Sequence, residues 1–170
     1  AEGCDKHCTY CIIPALRGSY RSVPMPELIR QAEYLADTGV KELIIVAQET
    51  TLYGTDIYGY NALPELLDNI SKIDGIKWIR LLYAYPEDIT DELIDIMASN
   101  PKICHYIDMP VQHASDNILR RMGRRTTEKE LEEKIKRLRS RIPDIAVRTT
   151  LITGFPGETP EDHNILLDFV

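Results

Sequence analysis

The sequence predicts an α/β fold with a parallel sheet. Four apolar runs of strand length alternate along the 170 residues with stretches of helical periodicity. Strands that are joined by helical crossovers pair in parallel, which places all their carboxyl ends at one edge of the sheet. Polar residues follow each apolar run, as expected at the edge where parallel folds bind ligands. The spacing differs from unit to unit, which argues against a solenoid repeat.

The first half of the chain contains two predicted helices and two predicted strands. Pro26 lies at the start of a helix that continues through the amphipathic residues 28–37. Residues 41–47 (KELIIVA) form a continuous apolar run, which predicts a strand buried on both faces. A helix over about residues 62–71 then precedes a strand over residues 78–83.

Side-chain caps mark the helices of the second half. Thr127 and Glu130 have the spacing of a capping box, which predicts a helix to about residue 141. Thr90 is placed to cap a helix that reaches about residue 98. The other predicted elements are a strand over 104–109, a short helix over 115–122, a strand over 145–153 and a helix that opens at Thr159-Pro160.

Composition and charge are those of an ordinary soluble globular domain. The length suits one domain, 44% of the residues are hydrophobic, and no apolar run approaches the length of a membrane span. The formal net charge of −7 does not suit a protein that binds the nucleic-acid backbone through its overall field. Such a surface suits a basic partner better. The few cysteines and the lack of a secretory signal favour a reducing, cytoplasmic location without membrane contact.

Cys4, Cys8 and Cys11 are the most informative residues of the chain. Their C-x-x-x-C-x-x-C spacing lets one loop hold a metal centre, one ligand short of a closed four-ligand site. The residues between them are polar, which argues against a buried apolar stripe. An open coordination position is where another molecule can bind and react.

Two kinds of metal centre fit this loop. A structural zinc site is the serious alternative, because His7 could complete a Cys₃His set, although four ligands within eight residues would be crowded. A [4Fe–4S] cluster with three thiolate-bound irons and one open iron is favoured. The fourth cysteine, Cys104, lies in an apolar strand-like run and is expected to be a packed core residue rather than a ligand.

The cysteine loop, with Tyr10 before its last cysteine, resembles that of the radical S-adenosylmethionine (SAM) superfamily. Three longer strings, at residues 2–18, 108–115 and 154–159, are together similar to the radical SAM methylthiotransferase family. This resemblance implies a partial parallel (β/α) barrel, and residues 1–170 would form its radical SAM core. The barrel's first strand and last units would be missing. An N-terminal methylthiotransferase domain and a C-terminal substrate-binding module would lie outside this chain.

Within the family, one branch methylthiolates an aspartate of ribosomal small-subunit protein twelve and another an adenosine of tRNA. Residues 112–115 (QHAS) and 82–86 (LYAYP) resemble the ribosomal-protein branch, and the acidic charge suits a basic ribosomal protein. The tRNA branch, another radical SAM reaction and a non-enzymatic zinc module remain alternatives. The resemblance also implies an electron donor such as a flavodoxin or ferredoxin, and a second cluster in the missing N-terminal domain. The chain alone is therefore not expected to complete methylthiolation.

The resemblance assigns cofactor roles to individual residues. Cys4, Cys8 and Cys11 would hold the [4Fe–4S] cluster, whose open iron would chelate SAM. Tyr10 would lie against the adenine. The expected SAM-contacting residues beyond the cysteine loop are Gln48 and Glu49 in the amino-group loop, Gln112 at the ribose and Arg124 at the carboxylate.

The segment from Thr150 to Gly154 resembles a strand motif of the superfamily. The backbone of Ile152 would contact the adenine and Thr150 the ribose, although the family often has an acidic residue or glycine at the latter position. Gly154 can also be a turn glycine. Arg148 would either face the barrel interior or form a structural salt bridge.

Overall fold

The computed structural model describes residues 1–170. Its strands are β1 (Glu42–Ile45), β2 (Trp78–Leu81), β3 (Ile103–Asp108) and β4 (Ala146–Arg148). Its helices are α1 (Ile13–Arg17), α2 (Met25–Asp37), α3 (Leu63–Ser71), α4 (Asp91–Ser99), α5 (Asp116–Arg121), α6 (Glu128–Arg141) and α7 (Pro160–Phe169), with a 3₁₀ turn at Pro86–Asp88. None of the helices combines the length and the apolarity needed to cross a membrane.

The four strands form one parallel sheet in the order β1-β2-β3-β4. Each strand therefore lies beside its neighbour in the chain, and the crossovers progress in one direction. This order is that of an arc of a (β/α) barrel, whereas a doubly wound sheet reverses direction at its switch point. The predicted fold class is confirmed, and all four strand ends meet at one edge.

The core lies between the sheet and the helices that cover it. Ile79 on β2 and Ile107 on β3 are fully buried, as are Leu67 of α3 and Leu93 of α4. Leu138 of α6 is buried in the same apolar cluster. These side chains bury the apolar stripes of the amphipathic helices, and this burial supplies the main driving force for the arrangement.

The opposite face of the sheet is largely open, so the prediction that the first strand is buried on both faces was wrong. Ile44 is 52% exposed, Val46 55% and Trp78 54%, because helices cover only the other face. On this open face Arg80 forms a 2.6 Å ion pair with Glu42. An apolar run predicts a buried strand, but it does not specify whether one or both faces of the strand are covered.

Cys104 also departs from its prediction. It is half-buried and lies close enough to Arg80 and Glu42 for their charges to act on its thiol. It is therefore absent from the buried core, where it was expected. The strand itself was correctly predicted, but the alternation of side chains directs this residue away from the helices.

Most element boundaries agree with the predictions to within three residues. The capping box of Thr127 and Glu130 is present, and the side chain of Thr90 accepts the N–H of Leu93. The fourth strand is much shorter than the predicted 145–153. Beyond it, only an isolated bridge between Gln112 and Leu151 continues the pairing. The short helix α1 had no prediction.

Replacement of Thr127 by Ala should destabilise the protein. It removes the side-chain oxygen that accepts the N–H of Glu130 at the start of α6, a loss of about 1 kcal/mol in the free energy of unfolding. Urea denaturation followed by circular dichroism measures this loss. The matched control is Ser140→Ala at the exposed end of the same helix, which should change stability by less than about 0.5 kcal/mol. Equal effects of the two substitutions would contradict the capping role.

Candidate functional site

A pocket at the carboxyl edge of the sheet brings most of the predicted site residues together. Residues that share its wall and were predicted from the sequence are Cys4, Cys8, Tyr10, Cys11, Gln48, Gln112, Arg124 and Thr150. Wall residues without a predicted cofactor role include Lys6, Tyr83, Tyr85, Pro110 and Arg148. A second cavity, between α2, β1 and α3, is mainly apolar and holds none of the predicted residues. The chemistry is therefore concentrated in the cysteine pocket.

The turn between α5 and α6 supports the cysteine loop from behind. The N–H of Thr9 donates to the carbonyl of Met122 at 3.0 Å, and its hydroxyl donates to the carbonyl of Arg121 at 2.9 Å. Gly123 has a φ of 74°, and a Cβ at this position would lie 2.8 Å from the carbonyl oxygen of His7. The two backbones can approach this closely only because residue 123 is glycine.

Gln48 connects the other end of the cysteine loop to the sheet. It lies shortly after the end of β1, and its side-chain oxygen accepts the N–H of Gly3 at 3.0 Å. The N–H of Cys4 donates to the carbonyl of Gly18 at 3.2 Å, and Glu2 pairs with Arg21 in an isolated antiparallel bridge. Hydrogen bonds within the protein thus attach the loop at both ends.

The three thiols line one pocket, and His7 is not among the residues of its wall. A Cys₃His zinc site would need His7 beside the three thiolates to complete its set of ligands. The composition of the wall therefore favours a cluster held by the three thiolates alone.

Tyr85 is the main wall residue that sequence reasoning missed. Its hydroxyl lies 3.4 Å from the sulfur of Cys8. Two cations lie over its ring, the ammonium of Lys6 at 4.3 Å from the centroid and the guanidinium of Arg124 at 3.9 Å. Burial raises the pKa of Tyr85, so the phenol keeps its proton and can donate a hydrogen bond to a thiolate. In the sequence, its segment, residues 82–86, distinguishes the two branches of the family but assigns Tyr85 no role in the pocket.

Arg124 differs from the other arginines around it. It is 7% exposed, whereas Arg120, Arg121 and Arg125 are exposed. One of its terminal nitrogens donates to the carbonyl of Pro110 at 3.3 Å. Its Nε is buried without a hydrogen-bond partner. A buried guanidinium with an unused donor is suited to bind a carboxylate.

A buried carboxyl lies near this arginine. Glu87 has a carboxyl oxygen 3.6 Å from Arg124, and both of its oxygens are buried without a hydrogen-bond partner. Burial raises the pKa of Glu87, while the charge of Arg124 acts in the opposite direction. The pair therefore keeps two charged groups desolvated beside the pocket.

Glu49 lies behind the pocket wall rather than in it. It is 1% exposed, and one carboxyl oxygen accepts the N–H of Thr51 at 2.8 Å and also the hydroxyl of Thr51. Burial raises the pKa of Glu49 to about 7. Thr51 in turn accepts the N–H of Tyr85 at 3.2 Å. Of the two residues predicted in this loop, only Gln48 lines the pocket.

The loops after β3 and β4 are joined by main-chain hydrogen bonds. The N–H of Gln112 donates to the carbonyl of Thr150 at 3.0 Å, and the N–H of Ile152 donates to the carbonyl of Gln112 at 2.8 Å. Gln112 and Thr150 line the pocket, but Ile152 and Gly154 do not. Gly154 is exposed with a φ of 74°, as a turn glycine requires. Tyr10 packs edge-on against Phe155 at 6.4 Å between centroids.

Two non-glycine residues in the pocket wall have left-handed backbones. Gln112 has a φ of 74° and Tyr83 a φ of 57°. The N–H of Tyr83 donates to one carboxyl oxygen of the buried Asp108 at 3.3 Å. The other oxygen accepts a 2.6 Å hydrogen bond from Arg148. Backbone strain of this kind concentrates at functional sites.

Solved structures of radical SAM enzymes share this fold. The radical S-adenosylmethionine methyltransferase TsrM from Kitasatospora setae superposes with a TM-score of 0.77 at 22% identity, covering 98% of this chain and 32% of that one. The cobalamin-dependent S-adenosylmethionine radical enzyme OxsB gives 0.74 at 17% identity, covering 99% and 26%. At these identities the likeness establishes the fold alone.

Curated relatives are much more similar in sequence. The chain is 66% identical over 170 residues to the ribosomal protein uS12 methylthiotransferase RimO of Lachnoclostridium phytofermentans. It is 56% identical over 169 residues to the protein of the same name from Clostridioides difficile. These matches cover 100% and 99% of this chain but only 39% and 38% of the relatives' lengths.

The family match extends over the full chain. The sequence pattern of the radical SAM superfamily matches residues 1–170. The chain therefore belongs to the radical SAM superfamily, and its predicted resemblance to methylthiotransferases of the RimO type is confirmed.

Proposed function

We propose that this chain is the radical SAM core of an enzyme that reductively cleaves SAM at a [4Fe–4S] cluster and methylthiolates an aspartate of ribosomal protein uS12. One observation carries the proposal: three thiols share a single pocket with five of the eight expected SAM-binding residues, near the carboxyl ends of parallel strands. The substrate is inferred from the relatives named for uS12 methylthiolation. An N-terminal methylthiotransferase domain with a second cluster, a C-terminal substrate-binding module and an external electron donor complete the proposed enzyme.

Membership of the superfamily implies a [4Fe–4S] cluster and SAM as cofactors. The proposed ligands are Cys4, Cys8 and Cys11, which leaves one iron open for SAM. When bound, these cofactors would pass on one electron from the external donor and supply the radical chemistry of the reaction. The chain holds them in place, and Tyr85 places a hydrogen-bond donor at the sulfur of Cys8.

The remaining wall residues are proposed to orient SAM. Arg124 would bind its carboxylate through the donor that has no protein partner. Tyr10, which packs edge-on against Phe155, would cover the adenine, and Gln112 and Thr150, which are joined by a main-chain hydrogen bond, would contact the ribose. Gln48 contributes from the end of β1. Glu49, Ile152 and Gly154 lie outside the pocket wall, so their proposed contributions are through the backbone or through neighbouring residues.

The full-length enzyme should modify protein rather than RNA. With its clusters reconstituted anaerobically and given SAM and a reductant, it should add a methylthio group to the aspartate of uS12, detected by mass spectrometry of the digested protein. The Cys8→Ala variant should bind less iron and lose the activity, because a cluster ligand is removed. Cys104→Ala is the matched control and should keep both. Thiomethylated tRNA with unmodified uS12 would support the tRNA branch instead.

Replacement of Tyr85 by Phe should lower the reduction potential of the cluster. Hydrogen bonds to cluster sulfurs favour the more negative, reduced state, and this substitution removes only the hydroxyl that lies 3.4 Å from Cys8. A redox titration followed by electron paramagnetic resonance measures the shift in the reconstituted protein. Tyr53→Phe, which removes a hydroxyl bonded to the carbonyl of Val23, is the control. An unchanged potential in Tyr85→Phe would contradict the proposed hydrogen bond.

A further inference from the structure

Arg148 lies in the same pocket as the three cysteines and has unused hydrogen-bonding capacity. Its side chain is 57% exposed, and its only hydrogen bond within the protein goes to Asp108. A guanidinium carries five N–H donors, so most of them remain available to a ligand. The guanidinium of Arg148 is therefore a charged group in the pocket wall to which no role in SAM binding has been assigned.

Three cations line the pocket, and each is paired with a carboxylate that lies outside the wall. Lys6, Arg124 and Arg148 line it, and no aspartate or glutamate does, whereas the whole chain has a net charge of −7. Lys6 is paired with Asp88 and lies over the ring of Tyr85. Arg124 is the buried cation assigned to SAM. Arg148 is the remaining cation of the wall, and it is the most exposed of the three.

Asp108 fixes the position of this arginine. It is 1% exposed, and its two carboxyl oxygens accept hydrogen bonds from Arg148 and from the backbone of Tyr83. The buried carboxylate of Asp108 is stabilised by a cationic partner. An arginine that is itself buried would stabilise it equally well, so the exposure of Arg148 is not explained by this pairing. Here the partner is exposed in the pocket, where a second carboxylate can reach its free donors.

We propose that Arg148 binds the carboxylate of the substrate aspartate and thereby positions the adjacent carbon for modification. This role rests on the proposed function, since it is the uS12 substrate that supplies an aspartate. Asp108 and the strained Tyr83 backbone act as positioning elements that hold the guanidinium in place. Recognition of a carboxylate at this position selects an acidic side chain and gives no advantage to a nucleobase.

A double-mutant cycle between enzyme and substrate tests the role of Arg148. The affinity of the full-length enzyme for uS12 is measured with the native aspartate and with asparagine at the modified position, using wild-type enzyme and the Arg148→Met variant. In wild-type enzyme the asparagine substrate should bind at least about tenfold more weakly, the lower end of measured coupling for close charge pairs. In Arg148→Met the two substrates should bind equally. Arg148→Lys should restore part of the preference for aspartate.

The controls separate this role from a structural one and from the proposed function. Arg120→Met, at an exposed arginine of α5, should keep the full preference for aspartate. If Arg148→Met weakens both substrates by the same factor, the arginine is structural and the inference is overturned. If wild-type enzyme binds the aspartate and asparagine substrates equally, the inference is also overturned. If Arg148→Met does not fold, Arg148→Lys takes its place and should keep only part of the preference for aspartate, so a full wild-type preference in that variant overturns the inference. Failure of wild-type enzyme to modify uS12 at all would instead overturn the proposed function.

Discussion

A main-chain hydrogen bond from Thr9 to Met122 fixes the cysteine loop against the turn between α5 and α6. The turn is held in place by α5 and α6, and its hydrogen bonds to Thr9 therefore fix the cysteine loop at the edge of the sheet. Gly123 permits the contact because a side chain there would overlap the carbonyl of His7. Every proposed cofactor contact depends on this approach, since the other wall residues come from strand ends that are far away in sequence.

Several polar and charged groups next to the cysteine loop are shielded from water, which strengthens the interactions between them. Arg124, Glu87 and Tyr85 are largely buried close together, where charges interact more strongly than in water. Each group would be costly alone, and together they form a preorganised support next to Cys8. The Glu49 carboxyl, with a pKa of about 7, is connected to the same support through Thr51. The polar layer under the loop is therefore continuous from the end of β1 to α5.

Local signals in the sequence predicted the elements well, and long-range contacts limited the rest. The capping box of Thr127 is encoded within four residues and appears as expected. The exposure of Ile44 depends on which parts of the protein cover the sheet, which an apolar run cannot specify. Tyr85 reaches Cys8 across 77 positions, so no spacing rule could connect them. Most of the pocket wall was predicted because the resemblance to a family carries long-range information that periodicity lacks.

The left-handed backbones of Tyr83 and Gln112 have an evolutionary consequence. Each is strained by roughly 1–3 kcal/mol, and glycine at either position would relieve that strain. Selection for thermal tolerance alone would therefore favour replacing these side chains and, with them, part of the pocket wall. Retaining them keeps the protein below the stability its backbone could reach. Variants of this core that are selected for stability alone would thus be expected to lose Tyr83 and Gln112 first.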